Sequence, residues 1–504
     1  MARRAVWRPP WFAWSLLGLL ALLVIDRTDA SRLDGRWALI TPVLVLVGVL
    51  ALRRLWQLPP AATMCAALAL TIFSGAWAQI GVGGLPFDRL LLAIVLLQLF
   101  LLAPGVARIP RVQVRAVHLL MAFVAIYATV SALAAGTLGS ETGLLSLIDL
   151  FGLAPYLIFL LAPAIFAGRR ERRMLLATLV GVGFYLGLTA IFESLGPHAL
   201  VFPRYILHAD AATPGERAGG PFQSSLAEGF ATFSCAVAAL IAFVQWREEG
   251  RRRLAALGAT AVAVSLFGAF VTLERGVWIA ALAAGVVVAL ATRSGRRWLL
   301  PGLLCCAIVI GGALLVSPSL SRKTSNRATS QISVWDRENQ TYAGLRMIAA
   351  RPLFGFGWER YRSDSFEYFR QGADYPMYGY KPSNAVQGEK TLPLHDTYLA
   401  YAVELGIVGA LLWLAALVWG VGQAVATPAT GELRQWKLGL LAIGVFFFVV
   451  AIFNPSQAPF SVLLLWLWAG VAQGGPSLAE QARRSRSRAG AERRMPAPLS
   501  TEWA

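Results

Sequence analysis

Hydrophobic side chains recur along this chain in blocks of about twenty residues, the length of helix that crosses a hydrocarbon layer of roughly 30 Å. The blocks run from Trp11 to Val471. Spans are predicted at 11–25, 36–52, 61–78, 87–104, 116–135, 145–166, 174–192, 222–244, 255–271, 276–291, 298–316, 397–421, 438–453 and 458–474, fourteen in all. A soluble core has no need of so regular a length. The first block has the basic flanks of a signal peptide, but no small-residue cleavage site precedes Asp26 and Arg27, so it is read as a retained span.

The polar positions between blocks orient the bundle. Arg3, Arg4 and Arg8, then Arg53 and Arg54, Arg108, Arg111 and Arg115, Arg169 to Arg173, Arg247 to Arg253, Arg293 to Arg297, and Arg434 with Lys437 fall in alternate connections. Cytoplasmic loops are the ones enriched in Lys and Arg. Both termini are therefore expected in the cytoplasm. Residues 317–396 lie on the opposite side.

Composition agrees with this pattern. The 504 residues are 57% hydrophobic and 14% charged, against about a quarter charged in ordinary soluble chains. The formal charge of +18 is spread over loops and forms no single basic groove with interleaved aromatics, so membrane lipid, and no nucleic acid, is the expected partner. Cys65, Cys235, Cys305 and Cys306 sit in apolar runs without ligand spacing to histidines, which argues against a disulfide scaffold or structural zinc. The expected organisation is an all-α polytopic membrane protein. It has an N-terminal bundle over 1–316 with eleven spans, a long polar segment over 317–396, three spans within 397–474, and a basic tail over 475–504.

Several polar groups interrupt this apolar background. Residues 317–396 carry Arg322, Lys323, Arg327, Asp336, Arg337, Glu338, Arg346, Arg351, Arg360 and Arg362 before reaching His395 and Asp396. Such cations form either a solvated surface or a phosphate clamp. Periodicity predicts a helix from Val334 to Ala350, limited by Pro352. Arg337 and Arg346 are nine positions apart on it and need not share a face.

Leu273-Glu274-Arg275-Gly276-Val277-Trp278 places charges between two apolar blocks, where they must pair, snorkel or face a polar cavity. It reads equally as a structural turn or as a phosphate contact at Arg275. Arg217-Ala218-Gly219-Gly220-Pro221-Phe222-Gln223-Ser224-Ser225 opens another span on the same side, with Ser224 or Ser225 as a helix cap. Among the four histidines His395 stands apart, since it joins the charged segment to the next span. A neutral imidazole there suits proton transfer from a sugar hydroxyl.

Taken in order, Arg217–Gly220–Phe222, Glu274-Arg275-Gly276-Val277-Trp278, Arg337 ahead of Pro352-Leu353-Phe354-Gly355-Phe356-Gly357, and His395-Asp396-Thr397-Tyr398-Leu399 with Glu404-Leu405-Gly406-Ile407-Val408-Gly409 resemble the bacterial O-antigen ligase and polymerase superfamily. The resemblance is strongest over 215–415. It implies a multispan bundle similar to the membrane glycosyltransferase C fold, with a large extracytoplasmic loop. It also implies transfer of a preassembled glycan from undecaprenyl pyrophosphate to a lipid A-core or growing glycan acceptor, with inversion and without metal or other cofactor. On this reading Arg217, Arg275, Arg337 and Arg346 bind the donor phosphates, and His395, with Arg275, carries the catalysis. The family's histidine is commonly followed by Asn, and Asp396 departs from that as a candidate orienter of the ring. Ligation is the expected reaction. Polymerisation within the same superfamily and transport of a lipid-linked glycan are the alternatives.

Overall fold

The computed structural model describes residues 50, 53–73, 81–82, 85–101, 113–208, 217–329, 332–369, 386–387, 390–391, 394–453 and 458–474. The expected span at 11–25, nearly all of that at 36–52, and the basic tail lie outside them.

Helix dominates because apolar blocks in lipid must satisfy every backbone group within the segment. In chain order the described helices begin with α1 (Pro60–Thr71), α2 (Phe87–Phe100), α3 (Ala116–Ala135), α4 (Glu141–Ser146), α5 (Leu153–Ile165), α6 (Arg169–Leu195), α7 (Ser225–Glu248) and α8 (Arg252–Val271). They continue with α9 (Arg275–Ala291), α10 (Arg293–Val316), α11 (Pro318–Thr329), α12 (Ile332–Ala350), α13 (Tyr361–Asp364), α14 (Thr397–Ala426), α15 (Glu432–Phe453) and α16 (Pro459–Gln473). The only described strands are two-residue antiparallel pairs, Gly81–Val82 with Leu85–Pro86 and Val386–Gln387 with Lys390–Thr391. Among the described residues eight helices are long and apolar enough to cross a membrane, and three shorter apolar ones accompany them. The chain is an all-α polytopic integral membrane protein.

Helix α3 has the bounds that hydrophobicity predicts, closing on Gly136 at φ 71°. Helix α6 is longer than its apolar block because its backbone ladder runs on through Arg169, Arg170, Arg172 and Arg173. The block expected at 145–166 is segmented: α4 passes through a π-helical turn at Leu147–Phe151 and a break at Gly152 before α5.

Lipid removes the hydrophobic drive for helices to associate, so close packing must hold the bundle. Where α6 crosses α8, a Cβ at Gly268 would lie 2.7 Å from the Gly187 Cα, so backbones touch there. Helix α16 is enclosed by its neighbours, with Leu464, Leu465, Leu467, Trp468 and Ala469 inaccessible. The Trp468 indole donates to the Trp436 carbonyl of α15 at 2.9 Å.

The bundle has two chemically distinct ends. At one, the buried Arg172 pairs with Glu432 at 3.0 Å and donates to the Ala167 carbonyl at 2.7 Å, while Arg169 and Arg173 pair with Glu249. These contacts gather three of the basic connections. At the other end lie the α6–α7 connection, the α8–α9 turn and α12.

Helix α14 is broken at Gly406, where φ is 70° and ψ 175°. The break strands backbone groups, and residues 352–357 satisfy them. Ile407 N–H donates to the Pro352 carbonyl at 2.9 Å and Val408 N–H to Leu353 at 3.4 Å; in return Phe356 N–H donates to Val403 at 2.9 Å and Gly357 N–H to Glu404 at 2.8 Å. Unsatisfied groups at this depth cost several kcal/mol each. The two glycine-rich motifs are therefore halves of one backbone joint. A Cβ on Gly355 would lie 2.5 Å from Gly406 N, and one on Gly406 would lie 2.2 Å from the Leu353 carbonyl oxygen.

Candidate active site

The α8–α9 turn builds the centre of the site. Leu273 adopts φ 52°, a left-handed conformation that costs a residue with a Cβ roughly 1–2 kcal/mol. Glu274 then occupies the N-cap position of α9 without capping it. Its carboxylate, 5% exposed, reaches two arginines from distant parts of the chain: Arg217 Nη1 lies 3.2 Å from Oε2 and Arg337 Nη2 3.3 Å from Oε1. Ser225 Oγ, on the first residue of α7, donates to Oε2 at 3.5 Å. A carboxylate this buried is stable only when paired, so Glu274 converts two mutually repelling guanidinium groups into one assembly.

Arg275 follows in the first turn of α9, half-buried. Two guanidinium groups share the Glu274 carboxylate, and Arg275 is the next residue in the chain. Arg275 sits at a helix N-terminus, where the backbone's own partial charge is also positive and an anion is favoured.

Arg217 is held by backbone geometry as well. Glu193, at the end of α6, accepts from Gly219 N–H at 3.0 Å and Gly220 N–H at 2.9 Å. This fixes the stretch between Arg217 and α7. Ser224 caps α7 by accepting from Ala227 N–H at 3.4 Å, and this leaves Ser225 to face Glu274.

Helix α12 supplies Arg337 and, one turn on, Gln340, which is 1% exposed. The Gln340 amide oxygen accepts from the His395 backbone N–H at 3.1 Å and lies 2.6 Å from His395 Nδ1. His395 is thereby joined to the helix that carries Arg337. Burial first, and then the charge of Arg337, push the imidazole down to about 4, with Glu274 opposing. The ring is neutral at physiological pH.

Asp396 has a different task from the orienting one expected. Its carboxylate caps α14 by accepting from Leu399 N–H at 3.0 Å, and burial raises its pKa while the Leu399 and Tyr398 amides pull it back. Adjacency in sequence turns it towards its own helix, and Gln340 is the partner of the ring. Asn and Asp cap helices about equally well, so either residue could serve at this position.

Arg346 stands apart from the cluster as well: its Nη1 donates to the Tyr368 carbonyl at 2.7 Å. It lies nine positions along the helix from Arg337, and the two face different partners. His118 is a local cap, accepting from Arg115 N–H at 2.9 Å. Sequence reasoning missed Gln340 and Glu193. For Gln340 a signal existed, since residues three apart on a helix share a face and Arg337 was already a candidate.

Among the described residues no three His, Cys, Asp or Glu side chains gather in a way that would hold a metal ion. The arrangement can bind an anion through guanidinium groups and accept a proton at a neutral histidine beside it.

Residues 260–414 match the family model described as O-antigen ligase. That stretch contains Glu274, Arg275, Arg337, Gln340 and His395. The O-antigen ligase of Salmonella typhimurium (strain LT2) is a curated relative, 27% identical over 183 residues, or 35% of this chain. The chain spans 41% of the length of that relative. Both findings support the superfamily to which the motifs point.

Proposed function

We propose that this integral membrane protein of the O-antigen ligase and polymerase superfamily is a glycosyltransferase that moves a preassembled glycan from undecaprenyl pyrophosphate to a lipid A-core acceptor on the periplasmic face of the inner membrane. The observation that carries the reading is the joining of Arg217, Glu274 and Arg337 into a cationic corner that shares a helix with the partner of His395. The relative's name favours ligation over polymerisation.

In this scheme Arg217, Arg275 and Arg337 hold the donor pyrophosphate, and Arg346 supports the fold of the segment around them. The acceptor hydroxyl oxygen attacks the anomeric carbon, the bond from that carbon to the pyrophosphate oxygen breaks, and the configuration inverts. His395 takes the hydroxyl proton. The departing undecaprenyl pyrophosphate keeps the bonding electron pair, and the guanidinium groups stabilise the charge that grows on it. A bound pyrophosphate also offsets the positive field of Arg337. This raises the proton affinity of the His395 ring, although burial, the larger cause of its lowered pKa, continues to hold it down.

The test is reconstitution with a defined undecaprenyl-pyrophosphate glycan and, separately, lipid A-core and glycan acceptors. Ligation releases the carrier and labels the lipid core. Carrier release with chain extension alone assigns polymerisation, and donor crossing the bilayer without bond formation assigns transport.

Arg275→Ala is expected to weaken donor binding at normal folded yield. Arg275→Lys should recover attraction without the planar multidonor geometry. Donor affinity and transfer rate in both variants decide the matter, and an alanine variant with unchanged kinetics rejects the clamp. The domain reading, with residues 1–316 and 397–474 in the membrane and 317–396 periplasmic, is tested by single-cysteine labelling in intact and permeabilised cells. Labelling near His395 only after permeabilisation of the inner membrane would overturn the sidedness.

A further inference from the structure

We infer that Gln340 is a positioning residue that fixes His395 in the tautomer with its proton on Nδ1, leaving the Nε2 lone pair as the acceptor of the hydroxyl proton. The inference rests on the proposed glycosyl transfer and deepens it.

One amide oxygen makes both contacts. It accepts from the His395 backbone N–H at 3.1 Å, which identifies it as the oxygen, and it lies 2.6 Å from Nδ1. A carbonyl oxygen cannot donate, so the ring nitrogen facing it must carry the hydrogen. In a neutral imidazole the other nitrogen is then the base. Without that contact the ring is free to exchange tautomers and to rotate.

Burial makes the constraint firm. Gln340 is 1% exposed, on a helix whose Ala343 and Met347 are inaccessible. The backbone half of the contact holds His395 itself, so main chain and ring are referenced to the same amide. Arg337 lies one turn earlier on α12 and pairs with Glu274. Helix α12 thus sets the distance between the donor clamp and the base as a rigid element, and a shift that disturbs one disturbs the other.

An amide is also a specific choice of partner. A carboxylate against Nδ1–H would stabilise the imidazolium and raise the ring's pKa, whereas a neutral amide fixes orientation without adding charge. The charged groups that bear on the ring are Arg337 from α12 and Glu274 from the α8–α9 turn, and Asp396 is its neighbour in the chain. Asp396 is committed to the α14 cap.

The experiment is single-turnover transfer by the full chain in liposomes, with donor affinity and folded yield, for Gln340→Leu, Gln340→Glu and His395→Ala across pH 4 to 9. Gln340→Leu should slow transfer by about tenfold or more, less than loss of the base itself, at unchanged donor affinity. Gln340→Glu should keep the tautomer and move the acid limb of the rate profile up by about one pH unit or more. Wild-type rates and limbs in both Gln340 variants, beside an inactive His395→Ala, overturn the inference and leave the proposed function standing. Parallel loss of yield and donor affinity with an unshifted limb assigns Gln340 to packing and also overturns it. Full transfer by His395→Ala removes both the inference and the reading beneath it.

Discussion

His395→Ala lowers the single-turnover transfer rate by about two to four orders of magnitude, the range for removal of a principal general base, and leaves donor affinity near that of the wild type. The ring lies beside the cationic corner but contributes no positive charge to it at neutral pH, because burial and Arg337 hold it unprotonated. Donor phosphates therefore gain little from it, and the acceptor hydroxyl loses its proton acceptor when it is removed. The measurement needs saturating donor and acceptor, with folded yield determined on the same preparation. A normal chemical step in the folded variant rejects His395 as the base. Equal losses of folding, binding and chemistry assign it to structure. A substitution that keeps the cap supplies a control: Asp396→Asn should leave transfer close to wild type, since either side chain can cap α14.

Gly406→Ala has the second large effect, on folding rather than chemistry. Its φ of 70° carries a roughly 1–2 kcal/mol penalty for a residue with a Cβ. The added carbon would also approach the Leu353 carbonyl oxygen at 2.2 Å and Phe354 N at 2.5 Å. Both are backbone atoms of the segment that completes the broken helix, so neither yields by rotating a side chain. Together the strain and overpacking amount to roughly 2–5 kcal/mol. Folded yield and thermal unfolding in detergent should both drop, and transfer should fall in step with them. Gly355→Ala should behave alike because its Cβ meets the other face of the same joint. Wild-type stability in the Gly406 variant would show that the two motifs do not depend on each other.

These expectations rest on different contacts in the same region. The cationic corner joins Arg217, Glu274 and Arg337; His395 is tied to Gln340; the joint ties 352–357 to α14. The last stabilises the stretch that follows His395, and its failure spreads to the site. Loss of the base remains local.

The sequence by itself determined the membrane class and most of the described apolar helices, because a lipid-spanning helix must be both long enough and apolar enough, and each requirement is written locally. It also determined that Arg217, Arg275, Arg337 and His395 were worth attention, since charged or titratable groups beside apolar spans need a partner or a function. Helix α12 ended at Ala350, as Pro352 required. Pairing is a different matter, because it depends on where remote segments meet. Only the tertiary structure joined Arg217 to Glu274 across 57 positions and Gln340 to His395 across 55, and only it separated Arg346 from Arg337. Adjacency pointed to Asp396 as the ring's orienter, yet helix geometry commits that side chain to its own N-terminus. The same holds for the glycine motifs, whose shared purpose lies in backbone groups that a break in one helix leaves to be satisfied by another segment.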